Sequence, residues 1–240
     1  MFSRFVYRKI NPFVSKYFKF VIKRRSEDLA WQRKLLLEYF EISVILDVGA
    51  HYGEFYEEVR RYDFRRKVIS IEPTPTSFEI LKKIEDDDSN FKALNFALAD
   101  VAGDLTIHEF EESSMNSALE VDSSSNYILN VKRTTSLIPC TTLDQVIDAE
   151  SLQNENIFVK LDVQGFELKI LHGLKNYLEA VNLIQVEVSI NPIYKEASNL
   201  PELMDWLKLN GFAIVSVVTE RFHESAALAY DIDILCVRRW

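Results

Sequence analysis

The chain has 240 residues, of which 48% are hydrophobic, and it carries a formal net charge of −9. This length and composition suffice for one large hydrophobic core, so a single main domain is expected, and the acidic balance argues against nucleic acid as a partner. Its two cysteines, Cys140 and Cys236, are too few for a disulfide framework and favour a reducing, cytoplasmic location. No apolar run approaches the roughly 20 residues that span a bilayer.

The N-terminal segment differs in charge from the rest of the chain. Met1–Arg25 contains eight Lys or Arg residues, no acidic residue, and several interleaved aromatic residues. We assign residues 1–40 to a basic, aromatic helical arm, in which Ser26 is the predicted cap of a helix that ends near Phe40. Two interpretations of residues 1–25 stay open. The segment either contacts the inner face of an anionic membrane peripherally or packs on its own domain or a second subunit.

Residues 41–240 are predicted to form the main domain, in which apolar strands alternate with helices. The predicted strands are Val44–Val48, Lys67–Ile71, Phe91–Leu98, Leu105–Phe110, Ile157–Leu161, Leu183–Val188, Ala213–Val218 and Ile232–Val237. This alternation predicts an α/β fold with a mostly parallel sheet and helices on both faces. Because no helix separates the last two strands, one of them is expected to be antiparallel. The serine-rich stretch 111–136 is predicted to be a lid or substrate loop, with a disordered surface insertion as the alternative.

The most informative segment lies where the first predicted strand meets the first helix of the domain. It reads Asp47-Val48-Gly49-Ala50-His51-Tyr52-Gly53. Glycines there allow a ligand to approach the backbone closely, and the following helix offers free N–H groups. A dinucleotide site would prefer G-x-G-x-x-G for pyrophosphate. A carboxylate before the turn instead suits a ligand with an ammonium group, such as the methionine moiety of S-adenosylmethionine.

A second acidic residue, Glu72, ends the second predicted strand, 25 positions after Asp47. An acid at this place can accept hydrogen bonds from both hydroxyls of a ribose. Strand-end acids are common, so Glu72 alone is weak evidence. Together with the glycine turn it indicates a nucleoside ligand.

These segments and several downstream resemble the FkbM family of methyltransferases, over about residues 44–190. The matching runs are Leu46–Gly53, Ser70-Ile71-Glu72-Pro73, Asn95-Phe96-Ala97-Leu98, Thr142-Leu143-Asp144 and Val159–Glu167. The first run is shared by many class I methyltransferases, whereas the K-x-D-x-Q-G-x-E pattern from Lys160 to Glu167 is far more specific. The resemblance implies the class I, Rossmann-like fold with a seven-stranded sheet. It also implies O-methylation, often of sugars or natural products.

The resemblance also implies roles for individual residues around S-adenosylmethionine. The methionine end is expected against the first motif and the ribose on Glu72, with Asn95 or Ala97 near the adenine. Asp162 is expected beside the methyl donor. The residues expected at the methionine end are Asp47, Gly49, Ala50 and Gly53.

Methyl transfer to a hydroxyl requires a group that accepts the hydroxyl proton. By position the candidates are Asp162, Glu167, Glu187 and His51. Because Asp162 and Glu187 end adjacent parallel strands, they are also candidate ligands of a divalent cation such as Mg²⁺. Structural roles for each of these side chains stay open, and Lys160 is the predicted buried partner of a carboxylate.

Two other functions stay open from the sequence. The strand, the glycine turn and Glu72 would permit an NAD-dependent oxidoreductase, which the missing G-x-G-x-x-G disfavours. The second is a non-catalytic membrane-surface protein on a methyltransferase fold, and the joint presence of Asp47, Glu72 and Asp162 disfavours it.

Overall fold

The structure is a computed structural model that describes residues 28–110, 116–122, 133–190, 192–223 and 228–239. The basic segment Met1–Arg25 lies outside the described residues, as do residues 111–115 and 123–132 of the serine-rich stretch. Across the part of the chain that is described, no helix is long and apolar enough to cross a membrane.

Six α-helices and ten strands are assigned within the described residues. The helices are α1 (Leu29–Tyr39), α2 (Glu54–Arg61), α3 (Pro75–Asp87), α4 (Leu143–Ala149), α5 (Glu167–Leu171) and α6 (Leu200–Leu209). The strands are β1 (Val44–Val48), β2 (Lys67–Ile71), β3 (Phe91–Leu94), β4 (Ala97–Leu98), β5 (Gly103–Phe110), β6 (Arg133–Thr141), β7 (Ile157–Leu161), β8 (Val181–Ser189), β9 (Phe212–His223) and β10 (Leu228–Arg238).

Seven strands form one sheet in the order β3-β2-β1-β7-β8-β10-β9. Strands β3, β2, β1, β7 and β8 are parallel to one another. Strand β10, the last in the chain, is antiparallel to both of its neighbours, β8 and β9. The predicted seven-stranded, mostly parallel sheet with an antiparallel last strand is therefore confirmed.

Helices cover both faces of this sheet, as the sequence predicts. Helices α1, α2 and α3 pack on one face, where Leu37, Val59 and Leu81 are buried against β-strand residues that include Phe158. Helices α4, α5 and α6 pack on the other face in a larger apolar cluster. The side chains of each central strand alternate between the two clusters, which is the pattern of a strand buried on both faces.

Two predicted strands differ from the observed ones. The predicted strand Phe91–Leu98 is interrupted at Asn95, whose side-chain amide donates to the carbonyl oxygens of Glu72 and Pro73 at 2.9 and 3.1 Å. The chain then leaves the large sheet, and β4 joins a separate three-stranded sheet in the order β4-β6-β5. Because β6 begins at Arg133, the end of the predicted loop 111–136 is a strand that pairs with β5.

Helix boundaries also differ in detail, because side chains other than the predicted ones cap the first turns. Asp28, rather than Ser26, caps α1 by accepting a hydrogen bond from the Trp31 N–H at 3.1 Å. Although the sequence analysis groups α1 with the arm, Leu29 and Leu37 are buried in the core. Helix α1 is thus part of the packed domain.

Candidate active site

A cavity of about 570 Å³ opens at the carboxyl ends of β1, β2, β7 and β8. This volume is within the roughly 300–1,000 Å³ that is usual for small-molecule sites. Open α/β sheets place their ligands at this edge. Of the predicted site residues, the cavity is lined by Gly49, Ala50, His51, Glu72, Ala97, Asp162 and Glu187. The structure therefore brings most of the predicted site together.

The glycine turn after β1 forms one wall of the cavity. Gly49 has a φ of +75°, and a Cβ at this position would overlap the backbone carbonyl oxygen of Asp162. Its N–H donates to the carbonyl oxygen of Ile71 at 3.0 Å, so the turn is held between the ends of β2 and β7. Gly53 begins α2 with a φ of +91° and faces Ile84 and Leu81 rather than the cavity. Gly53 is not among the lining residues, and its contact with a cofactor stays a prediction.

Glu72 lies at the end of β2 and lines the cavity, although its residue is only 6% exposed. One carboxylate oxygen accepts the His51 N–H at 2.9 Å. The other accepts the N–H and the hydroxyl of Thr74 at 3.0 and 2.6 Å. Burial raises the pKa of Glu72, and these hydrogen bonds oppose the shift. The carboxylate is fixed in place, and with three of its roughly four lone-pair sites used it retains one on Oε2 for a hydroxyl donor such as that of a ribose.

Asp47 does not reach the cavity wall, although the sequence predicts that it touches the cofactor. Its side chain is completely buried, with Oδ2 accepting the Ser70 hydroxyl at 3.2 Å. Its Oδ1 has no hydrogen-bond partner among the described residues and lies 3.6 Å from the Lys160 ammonium nitrogen. Burial raises the pKa of Asp47, while Lys160 and Ser70 act in the opposite direction. Asp47 is thus positioned to act on the site through Lys160.

Lys160 links the buried carboxylate to the cavity. Its ammonium nitrogen lies 3.2 Å from Asp162 Oδ2 and 3.6 Å from Asp47 Oδ1. Burial is the largest single influence and would lower the pKa of Lys160, but the combined attraction of Asp162, Asp47 and Asp233 outweighs it and raises the pKa. Lys160 therefore stays charged. It is a buried partner of carboxylates, as the sequence predicts.

Register pairing aligns Lys160 with three other polar side chains in a row across the sheet. Asp47 pairs with Ser70 on β2 and with Lys160 on β7, and Lys160 pairs with Gln185 on β8. All four residues are buried. We call Ser70, Asp47, Lys160 and Gln185 the polar row. It lies on the sheet face covered by α1 and α2, and two of its members, Lys160 and Gln185, line the cavity.

Asn95 and Ala97 occupy different positions relative to the cavity. Ala97 lines it, together with Phe96 and Leu98, which provides an apolar surface of the kind that suits an adenine ring. Asn95 does not line it, because its amide braces the turn at Glu72 and Pro73. Of the two alternatives predicted for the adenine contact, Ala97 is the one that lines the cavity, and that contact stays a prediction.

The candidate bases fall into two groups. Asp162, Glu187 and His51 line the cavity, and the Asp162 N–H donates to the Val48 carbonyl oxygen at 3.1 Å. Glu167 does not line it. One Glu167 oxygen accepts the N–H groups of Gly165 and Val163 at 2.9 and 3.3 Å, and burial raises its pKa to about 7. Glu167 therefore shapes the turn after Asp162 rather than facing a substrate.

The predicted metal ligands, Asp162 and Glu187, share the cavity wall. Within the described ranges, no group of three or more His, Cys, Asp or Glu side chains is arranged to hold a metal ion. Two carboxylates are fewer ligands than Mg²⁺ usually takes from protein and water together. The described residues therefore do not support the predicted divalent-cation site.

Four residues that the sequence analysis does not single out also line the cavity: Arg33, Glu58, Gln185 and Asp233. Arg33 extends from α1, forms an ion pair with Glu58 of α2 and donates from Nε to Gln185 Oε1 at 2.8 Å. Gln185 in turn donates to Asp233 Oδ1 at 2.9 Å. Gln185 and Asp233 could have been identified from the sequence, because buried polar residues inside apolar strands are unusual. Arg33 could not, because an arginine on an amphipathic helix is ordinary.

The described part of the serine-rich stretch also reaches the cavity, through Asn116, Ser117 and Ala118. The Ser117 hydroxyl donates to the Gln164 carbonyl oxygen at 2.9 Å, and Ser117 forms a bridge with His108 on β5. This placement fits a substrate loop, which stays a prediction for the stretch as a whole.

Known proteins match this chain in sequence and, at low similarity, in fold. The family model described as "Methyltransferase FkbM domain" matches residues 47–214, which is more than half of the chain. A curated relative, hexuronic acid methyltransferase AglP of Haloferax volcanii, is 27% identical over 169 residues. That match covers 70% of this chain and 65% of the relative.

Solved structures also align with this chain, at low similarity. TehB of Haemophilus influenzae aligns with a TM-score of 0.48 and 10% identity over 95% of this chain and 67% of that one. TrmK of M. capricolum aligns with a TM-score of 0.46 and 12% identity over 85% of this chain and 68% of that one. The evidence for the family is the family match together with the cavity at the ends of β1, β2 and β7. This chain belongs to the FkbM methyltransferase family.

Proposed function

We propose that this chain is an S-adenosylmethionine-dependent O-methyltransferase that acts on a hydroxyl of a sugar, glycan or natural-product acceptor. The observation that carries the proposal is the joint placement of Glu72, the Gly49 turn and Asp162 around one cavity. The curated relative, which is named for a hexuronic acid, supports a sugar as the acceptor class.

The residues at one end of the cavity fit the cofactor. Glu72 presents a fixed carboxylate for the ribose, and Phe96, Ala97 and Leu98 present an apolar surface for the adenine. Gly49 and Ala50 line the cavity at the glycine turn, where the absence of a large side chain suits the methionine end. When bound, S-adenosylmethionine supplies a methyl group that is electrophilic because it is attached to a sulfonium.

The other end of the cavity suits an acceptor hydroxyl. Asp162 and Glu187 lie at the ends of adjacent parallel strands and both face the cavity. An acceptor hydroxyl must lose its proton as its oxygen takes the methyl group, and a carboxylate at this position can accept that proton. Lys160 holds the Asp162 carboxylate at 3.2 Å, which limits its motion. We include no divalent cation in the proposal.

The other two functions considered from the sequence receive no support. Membership of a methyltransferase family leaves no observation in favour of an NAD-dependent oxidoreductase. The non-catalytic alternative would not require a cavity lined by fixed carboxylates.

The proposal is tested by measuring S-adenosylhomocysteine binding calorimetrically and methyl transfer from labelled S-adenosylmethionine to a panel of sugars and glycans. We expect saturable binding and label in the acceptor, in a linkage that resists mild alkali as an ether does. Binding of NAD in place of S-adenosylhomocysteine would refute the cofactor assignment. Label that is released by mild alkali, as from an ester, would refute transfer to a hydroxyl.

A further inference from the structure

Residues 162–165, which follow β7, have an unusual backbone conformation beside the cavity, and we call this segment the β7 turn. Gln164 and Gly165 both lie in the left-handed region, with φ of +53° and +100°. That region favours glycine, so its occupation by a glutamine is costly. Asp162, Val163 and Gln164 line the cavity. Strained non-glycine residues persist where the surrounding contacts determine them, and they cluster at functional sites.

Contacts from three other segments hold the β7 turn in this conformation. Within the following helix, Glu167 Oε1 accepts the Gly165 N–H at 2.9 Å. The Gly165 carbonyl oxygen accepts the N–H and the hydroxyl of Ser198 at 2.7 and 2.8 Å. The Gln164 carbonyl oxygen accepts the Ser117 hydroxyl at 2.9 Å. The backbone of the turn is therefore fixed from several sides, and the left-handed Gln164 is fixed with it.

The side chain of Gln164 reaches back to Asp162. Its Nε2 donates to Asp162 Oδ1 at 3.2 Å, while the Lys160 ammonium donates to the other oxygen, Oδ2, at 3.2 Å. One donor alone would leave the carboxylate able to rotate about its Cβ–Cγ bond, whereas donors on both oxygens fix its plane. A glycine would adopt the backbone conformation of position 164 without strain. What glutamine adds at this position is the second donor to Asp162.

From these contacts we infer that Gln164 is a positioning residue for Asp162. It holds the carboxylate in the orientation from which Asp162 meets the acceptor hydroxyl. The inference rests on the proposed function, in which a carboxylate at the end of β7 can accept the proton of that hydroxyl. Orientation matters for such a step, because a misplacement of about 1 Å can lower a rate about 100-fold.

Two substitutions of Gln164 test the inference. Gln164→Met keeps a side chain of similar length but removes the donor, and Gln164→Gly removes the side chain together with the backbone strain. We measure kcat for labelled methyl transfer to a panel sugar that the wild type methylates, and S-adenosylhomocysteine affinity by calorimetry. Both variants should lower kcat at least about tenfold and change the affinity less than about threefold.

The two variants also separate the hydrogen bond from the bulk of the side chain. A wild-type kcat in Gln164→Met would overturn the inference, since the donor would then be dispensable. A loss of S-adenosylhomocysteine affinity with unchanged kcat would make Gln164 a cofactor contact and overturn it as well.

A double-mutant cycle shows whether Gln164 acts through Asp162. If it does, kcat of the double variant Asp162→Asn with Gln164→Met should lie within about twofold of that of Asp162→Asn alone, because the effects of residues that act as a unit are not additive. Fully additive losses would give Gln164 an independent role and refute the inference. A near-wild-type kcat in Asp162→Asn would refute it too, since nothing would need positioning.

The matched control is Ser151→Gly. Ser151 follows α4, is exposed, does not line the cavity, and has a left-handed φ of +57°. The change relieves the same kind of backbone strain away from the site, so kcat and affinity should equal those of the wild type. A comparable loss of kcat in Ser151→Gly would show that strain relief alone lowers turnover, against the inference.

The wild-type chain separates this inference from the proposed function. If the wild type does not bind S-adenosylhomocysteine, or binds it and labels no acceptor, the proposed function is refuted and the inference falls with it. If the wild type binds and transfers while Gln164→Met turns over equally fast, only the inference is refuted.

Discussion

The ammonium nitrogen of Lys160 lies 3.2 Å from a carboxylate oxygen of Asp162, and this contact joins the buried polar row to the cavity. On its other side Lys160 lies 3.6 Å from Asp47, which is completely buried. One lysine therefore balances a carboxylate that faces the ligand and another that never meets solvent.

The first prediction concerns the stability of this arrangement. Lys160→Met should destabilise the fold by about 3–5 kcal/mol, because it leaves the Asp47 charge buried without its cation. Denaturant unfolding followed by far-UV circular dichroism measures the change. Adding Asp47→Asn to the same chain should recover part of the loss, since the uncompensated charge is then removed. No recovery in the double variant would mean that Lys160 contributes through packing alone.

The second prediction concerns the ribose end of the cavity. Glu72→Gln should weaken S-adenosylhomocysteine binding about tenfold or more, since charge-assisted hydrogen bonds contribute roughly 1.5–3 kcal/mol. Isothermal titration calorimetry measures the affinity. Glu79→Gln, an exposed change on α3, is the matched control and should bind as the wild type does. Unchanged affinity in Glu72→Gln would remove Glu72 from the cofactor site.

The third prediction concerns proton removal. At least one of Asp162→Asn and Glu187→Gln should lower kcat by about 10²–10⁴-fold, the usual contribution of a general base. Glu187→Gln should do so with unchanged S-adenosylhomocysteine affinity, because Glu187 lies at the end of the cavity proposed for the acceptor. Asp205→Asn, exposed on α6, is the control. If both variants turned over at near the wild-type rate, His51 or water would have to accept the proton.

The fourth prediction concerns Glu167, whose pKa burial raises from 4.5 to about 7. Between these values the folded chain holds a proton that the unfolded chain has released, so this group lowers stability as pH rises from about 4.5 to 7. Glu167→Gln imitates the protonated form. Its stability relative to the wild type should therefore increase over this pH range, by at most about 3 kcal/mol at 1.36 kcal/mol per pKa unit.

Thermal or denaturant unfolding at pH 5 and at pH 8 measures the effect of Glu167→Gln. A difference between variant and wild type that is the same at both pH values would show that Glu167 does not titrate in this range. The exposed change Glu202→Gln on α6 controls for the general effect of removing one carboxylate.

Much of the fold follows from local pattern. The apolar runs at β1, β2 and β7 are recognisable because strands that are buried on both faces are almost continuously apolar. The break at Asn95 was not predictable from the same criterion, since Phe96 and Ala97 continue the apolar run. What ends β3 there is a hydrogen bond to the turn after β2, a contact between segments about 20 residues apart.

The site was predictable to a similar extent. Strand-end positions in the motifs located Glu72 and Asp162 correctly at the cavity. The motif could not show that Asp47 faces away from the cavity, because the direction of a side chain at a strand end depends on which face the neighbouring helices cover. The partners of Lys160 depend on strand register, and register is a property of the assembled sheet.

Arg33 has a consequence for how this enzyme could diversify. The family match begins at residue 47, yet Arg33 on α1 also lines the cavity. Under the proposed function, the segment that precedes the shared core would contribute to acceptor recognition, while the core would hold the cofactor. Exchanging residues 28–40 between relatives should transfer acceptor preference and leave methyl-donor affinity unaltered, so the two specificities are separable by recombination at one junction.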